Sequence, residues 1–192
     1  PYIYQGEELG MTNTKFHSLA DCQDLEEINA WHQYVDEQKK VSAETMLQCF
    51  DTMARDNART PMQWDASANA GFTTGKPWLA VNPNYTEINA EAALKDPDST
   101  FYYYQKLIRL RHAHPIIVYG TFEPLLEDSE TIYAFARELD GKRLTVACNW
   151  TEHEVPCSLF DENPGEELIS NYPSHKAGIL QPYEARVVLT DK

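Results

Sequence analysis

The chain has 192 residues, with 16 Lys+Arg against 30 Asp+Glu and a formal charge of −14. Its 42% hydrophobic content is that of a folded globular protein, and its length allows one or two domains. The negative balance argues against nucleic-acid and anionic-membrane partners, which need a positive patch. The longest apolar runs, such as Pro115-Ile116-Ile117-Val118-Tyr119, are far too short to cross a bilayer.

The chain opens Pro1-Tyr2-Ile3-Tyr4, with neither Met nor a signal peptide, so a piece of a longer protein is expected. Tyr2 to Gln5 is aromatic and β-branched and ends at Gly6, which predicts a strand and then a loop. Residues 24–38 place Leu25, Ile28, Trp31 or His32, and Val35 at helical spacing, with Asp21 or Asp24 as the cap. Ser42 starts a second helix carrying Met46, Leu47 and Phe50. Residues 55–88 fit no period and hold Pro61, Pro77 and Pro83. They also carry Trp64, Phe72, Trp78 and Tyr85, so an ordered, packed and functional loop is expected. Asn89 to Lys95 reads as a short helix stopped by Pro97. A stronger helix follows over 98–114 and is stopped by Pro115.

From about residue 116 the texture becomes strand-like. Thr131–Glu138, Lys142–Asn149, Glu154–Leu159, Glu167–Asn171 and Ala185–Thr190 are predicted strands, and Asp140-Gly141 is a hairpin turn signal. The evenly spread acidity, with 15 carboxylates in each half, reads as a solvated surface. The four cysteines, at 22, 49, 148 and 157, form no Cys-x-x-Cys pair, so no metal site is expected. Cys148 and Cys157 read as buried thiols, and a reducing cytoplasm is the simplest compartment. His112 and His114 point to different sides of a helix, which argues against a shared metal. No cofactor motif is present.

Chemistry-bearing residues are sparse. Glu7-Glu8 in an extended chain would point to opposite faces and could not flank one bond together. There is no Gly-rich phosphate loop and no Gly-x-Ser-x-Gly elbow. The richest stretch is Arg55 to Asp65. Its two arginines, acid, amide and Trp suit a polyhydroxylated ligand equally as well as an internally ion-paired loop.

This stretch carries a resemblance. Pro1 through Asn13 and Arg55-Asp56-Asn57-Ala58-Arg59-Thr60-Pro61-Met62-Gln63-Trp64 resemble glycoside hydrolase family 13, more narrowly its oligo-1,6-glucosidase and α-glucosidase group. Asn69 to Trp78, Val81 to Tyr85, Asp98 to Arg111, and Leu180 to Ala185 extend the match over essentially the whole chain. The resemblance implies an α+β fragment: the last strand and helices of a (β/α)8 TIM barrel over 1–115, then an antiparallel β-domain over 116–192. It implies that Tyr2–Tyr4, having lost both barrel neighbours, is disordered, repacked or paired with another copy of the chain.

The family mechanism is retaining hydrolysis by an aspartate nucleophile and a glutamate acid/base about 5–5.5 Å apart. A third aspartate binds the distorted sugar. All three belong to motifs that precede Pro1 in the family, so no catalytic residue is expected in this chain, and the chain by itself should not hydrolyse glycosides. Two substrate-binding residues carry over. Arg55 matches an arginine that bonds the sugar at subsite −1, and Glu26 matches a glutamate near the +1 sugar, with Glu27 as the alternative. Arg59 and Trp64 are expected to be structural. The implied substrate is a short oligosaccharide with terminal α-glucosidic bonds, α-1,6 foremost. The α-1,4, dextran and trehalose-6-phosphate activities of the same family are the alternatives. A stand-alone carbohydrate-binding or interaction module, suggested by 11% aromatic residues, is the reading from another class.

Overall fold

The computed structural model describes residues 2–161 and 165–191. The chain divides into two compact units, Pro1–Tyr102 and Tyr103–Lys192.

The first unit is built on helices and ordered loop. Helix α1 (Leu25–Trp31) starts at Asp24, whose side chain accepts the Glu26 N–H, and runs on as a π-turn over His32–Glu37. Helix α2 (Ala43–Met53) starts at Ser42, whose Oγ accepts the Thr45 N–H. The two bury Ile28, Trp31, Val35, Met46 and Phe50 against Phe16 and Cys22, with Phe50 in ring contact with both Phe16 and Trp31. Asn57 closes the end of α2 by donating to the Phe50 carbonyl, and it lies in the next turn, Arg55–Arg59 in a 3-10 conformation.

Residues 55–88 are packed, as their aromatics suggest. Gln63 is fully buried and donates to Asn84 Oδ1 and the Ile88 carbonyl. Buried Asn82 donates to the Thr12 and Asn13 carbonyls. Side-chain amides thus replace the backbone ladders that the loop lacks. Helix α3 (Ala90–Lys95), capped by Asn89, and helix α4 (Thr100–Ala113) fall where expected.

Two sequence expectations fail here. Tyr2–Tyr4 is not a strand, and Tyr2 is completely exposed. A strand exists through its ladder partners, and among the described residues this segment has none. It is held instead by Tyr4, whose hydroxyl donates to the Ala58 carbonyl and whose N–H donates to Glu7. Glu7 and Glu8 stand in a 3-10 turn (Glu7–Leu9), not in extended chain, and Glu8 accepts the Gly6 N–H.

The second unit is an antiparallel sheet of order β1-β2-β3-β7-β5, formed by β1 (Glu123–Leu125), β2 (Ile132–Leu139), β3 (Lys142–Asn149), β5 (Glu166–Ser170) and β7 (Ala185–Asp191). Asp140 (φ 51°) and Gly141 (φ 75°) make the tight turn between β2 and β3, with Leu139 opposite Lys142. A small second sheet pairs β4 (Val155–Pro156) with β6 (Ile179–Leu180).

The period-2 alternation gives the main sheet two buried faces. Ile132, Ala134, Ala147 and Val188 pack against Val155, Cys157, Phe160 and Leu180. Leu144 and Leu189, on the other face, pack against Ile116. The apolar run at Ile116–Tyr119 is a short helix α5, begun by Pro115 and ended at Gly120. Proline at a helix start sets the right φ, and that outweighs the β-propensity of two Ile and a Val. The predicted strand Glu154–Leu159 shortens to β4, and β1 and β6 were not foreseen.

Candidate functional site

The site forms where two short elements meet: the first turn of α1 and the Arg55–Arg59 turn. Asp56 is its buried foundation. It has no exposed surface, and its Oδ2 accepts the N–H groups of Gln23 (2.6 Å) and Asp24 (3.0 Å). Its Oδ1 lies 3.3 Å from Arg59 Nη1. That guanidinium also bonds Asp24, so Arg59 bridges two carboxylates. Asp24 therefore does two jobs, capping α1 with one oxygen and holding Arg59 with the other.

Arg55 stands at the rim. Its Nη1 lies 3.5 Å from Asp24 Oδ2 and 3.7 Å from Glu26 Oε2. Both Arg55 and Glu26 side chains are largely exposed, at 59% and 71%, and so are free to meet a ligand. Glu27 is the opposite case. It is buried, and its Oε1 accepts the Arg55 backbone N–H at 2.6 Å. Consecutive helical residues project about 100° apart, so only one of this pair can face outward. The structure brings Glu26, not Glu27, to the Arg55 guanidinium, while Glu27 fixes the backbone beneath it.

Charge is tuned by these contacts. The Arg59 hydrogen bond, with the Glu26 N–H and the nearby Arg55 charge, holds the Asp24 carboxyl below the usual carboxylate range. The same bond raises Arg59. Under this layer, burial and the charges of Asp56, Glu27 and Asp21 push the Cys22 thiol up to about 11, so it is neither a thiolate nor a nucleophile at neutral pH. Among the described residues no cluster of three His, Cys, Asp or Glu could hold a metal ion.

A depressed folded-state pKa means that ionised Asp24 adds stability above its ordinary value of 3.8, and that this is lost as pH falls through the folded value. Asp24→Asn keeps a good helix cap but not the ion pair. The urea midpoints of wild type and Asp24→Asn should therefore differ at pH 7 and converge as pH falls below the ordinary carboxylate range. A difference that does not change with pH would assign the effect to packing.

The site is open. Two cavities of the same unit, of about 400 and 370 Å3, touch the site only through its base: Asp56 lines the first, with Phe16, Leu79 and Asn82, and Asn57 and Ala58 line the second, with Tyr4 and Met11. Trp64 is half exposed, and its backbone bonds the Ala70 carbonyl and the Glu91 N–H. The contribution of Asp24 went unseen in the sequence beyond its capping role. Arg59, expected to be structural, ties that carboxylate to Asp56.

Known proteins resemble this chain closely. Over 97% of its length it is 50% identical to the oligo-1,6-glucosidase of Parageobacillus thermoglucosidasius, and over 98% it is 47% identical to that of Halalkalibacterium halodurans. The chain spans about a third of the length of these curated relatives, 34% and 35% respectively. A crystal structure of Bacillus licheniformis trehalose-6-phosphate hydrolase, an R201Q mutant, superposes on all of this chain and 36% of its own, with a TM-score of 0.92 and 40% identity. Residues 1–120, well over half of the chain, match the alpha amylase catalytic domain, and the chain belongs to the alpha-amylase family.

Proposed function

We propose that this chain is the C-terminal third of a retaining α-glucosidase that cleaves terminal α-1,6 bonds in short oligosaccharides. The observation that carries the reading is the exposed Arg55–Glu26 pair, held from below by Asp24 and Glu27, in a chain whose near relatives are named oligo-1,6-glucosidases. Residues 1–115 would complete the barrel and 116–192 would form the β-domain that follows it.

In this reading each residue has a defined part. The Arg55 guanidinium donates to hydroxyls of the sugar whose bond is broken. Glu26 accepts from the neighbouring sugar. Asp24 and Glu27 fix Arg55 at its side-chain and backbone ends, so little rotamer freedom is lost on binding. The nucleophile and the acid/base would come from barrel strands outside this chain. The open face of the site supports that arrangement, because it leaves room for a second wall.

An unphosphorylated glucoside suits the site better than a sugar phosphate. The Arg55 charge is already opposed by Asp24 and Glu26, and the −14 balance repels a dianion. Free cysteines at all four positions favour a reducing cytoplasm. No helix among the described residues is long and apolar enough to cross a membrane. The exposed Tyr2-Ile3-Tyr4 segment is where copies of the isolated chain would associate.

The test is a chimera in which this chain replaces the matched segment of the P. thermoglucosidasius oligo-1,6-glucosidase. The reading expects hydrolysis of p-nitrophenyl α-glucoside by the chimera and none by the 192-residue chain alone. Cleavage by the chain alone would overturn it.

A further inference from the structure

One carboxylate oxygen of the site has two guanidinium groups within reach. Asp24 Oδ2 accepts a hydrogen bond from Arg59 Nη1, and Arg55 Nη1 stands 3.5 Å from the same oxygen. The other oxygen, Oδ1, serves the Glu26 N–H at 2.8 Å as the cap of α1. The two arginines therefore compete for one acceptor, and Arg59 holds it.

The outcome is fixed from below. Arg59 Nη1 also faces Asp56 Oδ1 at 3.3 Å, and Asp56 is itself fully buried and bonded to two backbone N–H groups. Two carboxylates thus anchor Arg59, whose side chain is 33% exposed against 59% for Arg55.

Arg55 has no such anchor. Its two acidic neighbours, Asp24 Oδ2 and Glu26 Oε2, lie at 3.5 and 3.7 Å, beyond the roughly 2.7–2.9 Å of a charged hydrogen bond. A guanidinium has five N–H donors. Steered by two carboxylates but bonded to neither, the Arg55 group keeps those donors for a ligand. The Asp24 side chain is only 10% exposed, so its charge is poorly screened by water and would draw in the nearest free cation. With Arg59 in place, that demand is already met.

We propose that Arg59 is a positioning residue for ligand binding: by occupying Asp24 it keeps the Arg55 guanidinium unpaired and available. Without Arg59, the Arg55 group would close the 3.5 Å gap onto Asp24 and withdraw from the ligand. The competition between the arginines stands on geometry alone; that the ligand is a glucoside rests on the α-glucosidase reading.

Phenylglyoxal labelling of the 192-residue chain, followed by mass spectrometry of the Arg55 and Arg59 peptides, tests the competition directly. An unpaired arginine reacts faster than an ion-paired one, so Arg55 should label faster than Arg59 in the wild type. In Arg59→Met, which keeps an aliphatic stem, Arg55 labelling should slow about fivefold as it pairs with Asp24. Adding Asp24→Asn should return it to the wild-type rate. Arg59→Gln, a milder change that leaves an amide donor beside Asp56, should slow Arg55 labelling as well and covers the case in which Arg59→Met does not fold. If Arg59 only braced the turn, its loss would loosen the turn and speed Arg55 labelling. Faster labelling, or an unchanged rate, in folded variants would overturn the proposal. In the chimera, Arg59→Met should lower kcat/KM about fivefold when Arg55 is present and by less than about twofold in an Arg55→Ala background. Equal losses in both backgrounds would also overturn it. An inactive parent chimera counts instead against the α-glucosidase reading, and the labelling rates then decide the role of Arg59.

Discussion

Asp56→Ala is expected to destabilise the first unit by about 3–5 kcal/mol, the cost of deleting one member of a buried ion pair. The carboxylate has no exposed surface, yet it satisfies the N–H groups of Gln23 and Asp24 and faces Arg59. Alanine leaves both N–H groups buried without an acceptor and leaves Arg59 with only Asp24. The start of α1 and the Arg55 turn should loosen together, because Asp56 is what joins them. Asp56→Asn is expected to lose less, since its one oxygen can still accept both N–H groups while its amide replaces the oxygen that faces Arg59. Chemical denaturation reads both. Equal losses in the two variants would show that the cavity, and not the hydrogen bonds, sets the cost.

Leu180→Ala is expected to cost the second unit about 2–5 kcal/mol. Leu180 is 1% exposed and sits among Ile132, Ala147, Val155, Phe160 and Val188, on the face of the main sheet that the β4–β6 pair covers. Three of its contacts come from separate strands of that sheet, so the site has little freedom to collapse around a smaller side chain. Leu94→Ala, at a half-exposed position, is the control, with a change of less than about 0.5 kcal/mol. Similar losses at both positions would mean that Leu180 does not lie in a packed core.

The elements that the sequence made legible are those with many repeats of one period. Helix α2 carries three turns of apolar spacing behind a serine cap, and β2 and β3 carry eight residues each around an Asp-Gly turn. Strands β1 and β6, of three and two residues, are too short to show a period at all. The N-terminal segment misled for a different reason: its composition suits a strand, but a strand is a property of two chains side by side. At Ile116–Tyr119 a proline and a glycine with four residues between them decided the conformation against the β-branched side chains they enclose.

The site was legible in part. Arg55 and Glu26 came from the family resemblance, and the two lie 3.7 Å apart. What composition could not reveal was the scaffold. Asp24 reads as an ordinary helix cap until Arg59, 35 residues later, is found on its other oxygen. Glu27 and Glu26 are equivalent as letters, and only the rotation of α1 sends one inward to the Arg55 N–H and the other out to its guanidinium. Residues 162–164, between β4 and β5, lie outside the described residues.

The most direct test of the central claim is the turnover of p-nitrophenyl α-glucoside and isomaltose by the folded chimera, with and without Arg55→Ala. The parent chimera should hydrolyse both substrates. Arg55→Ala should lower kcat/KM by about 10- to 100-fold, the loss expected for a hydrogen bond from a charged group. A folded chimera that is inactive, or one whose kcat/KM is indifferent to Arg55, would contradict the account.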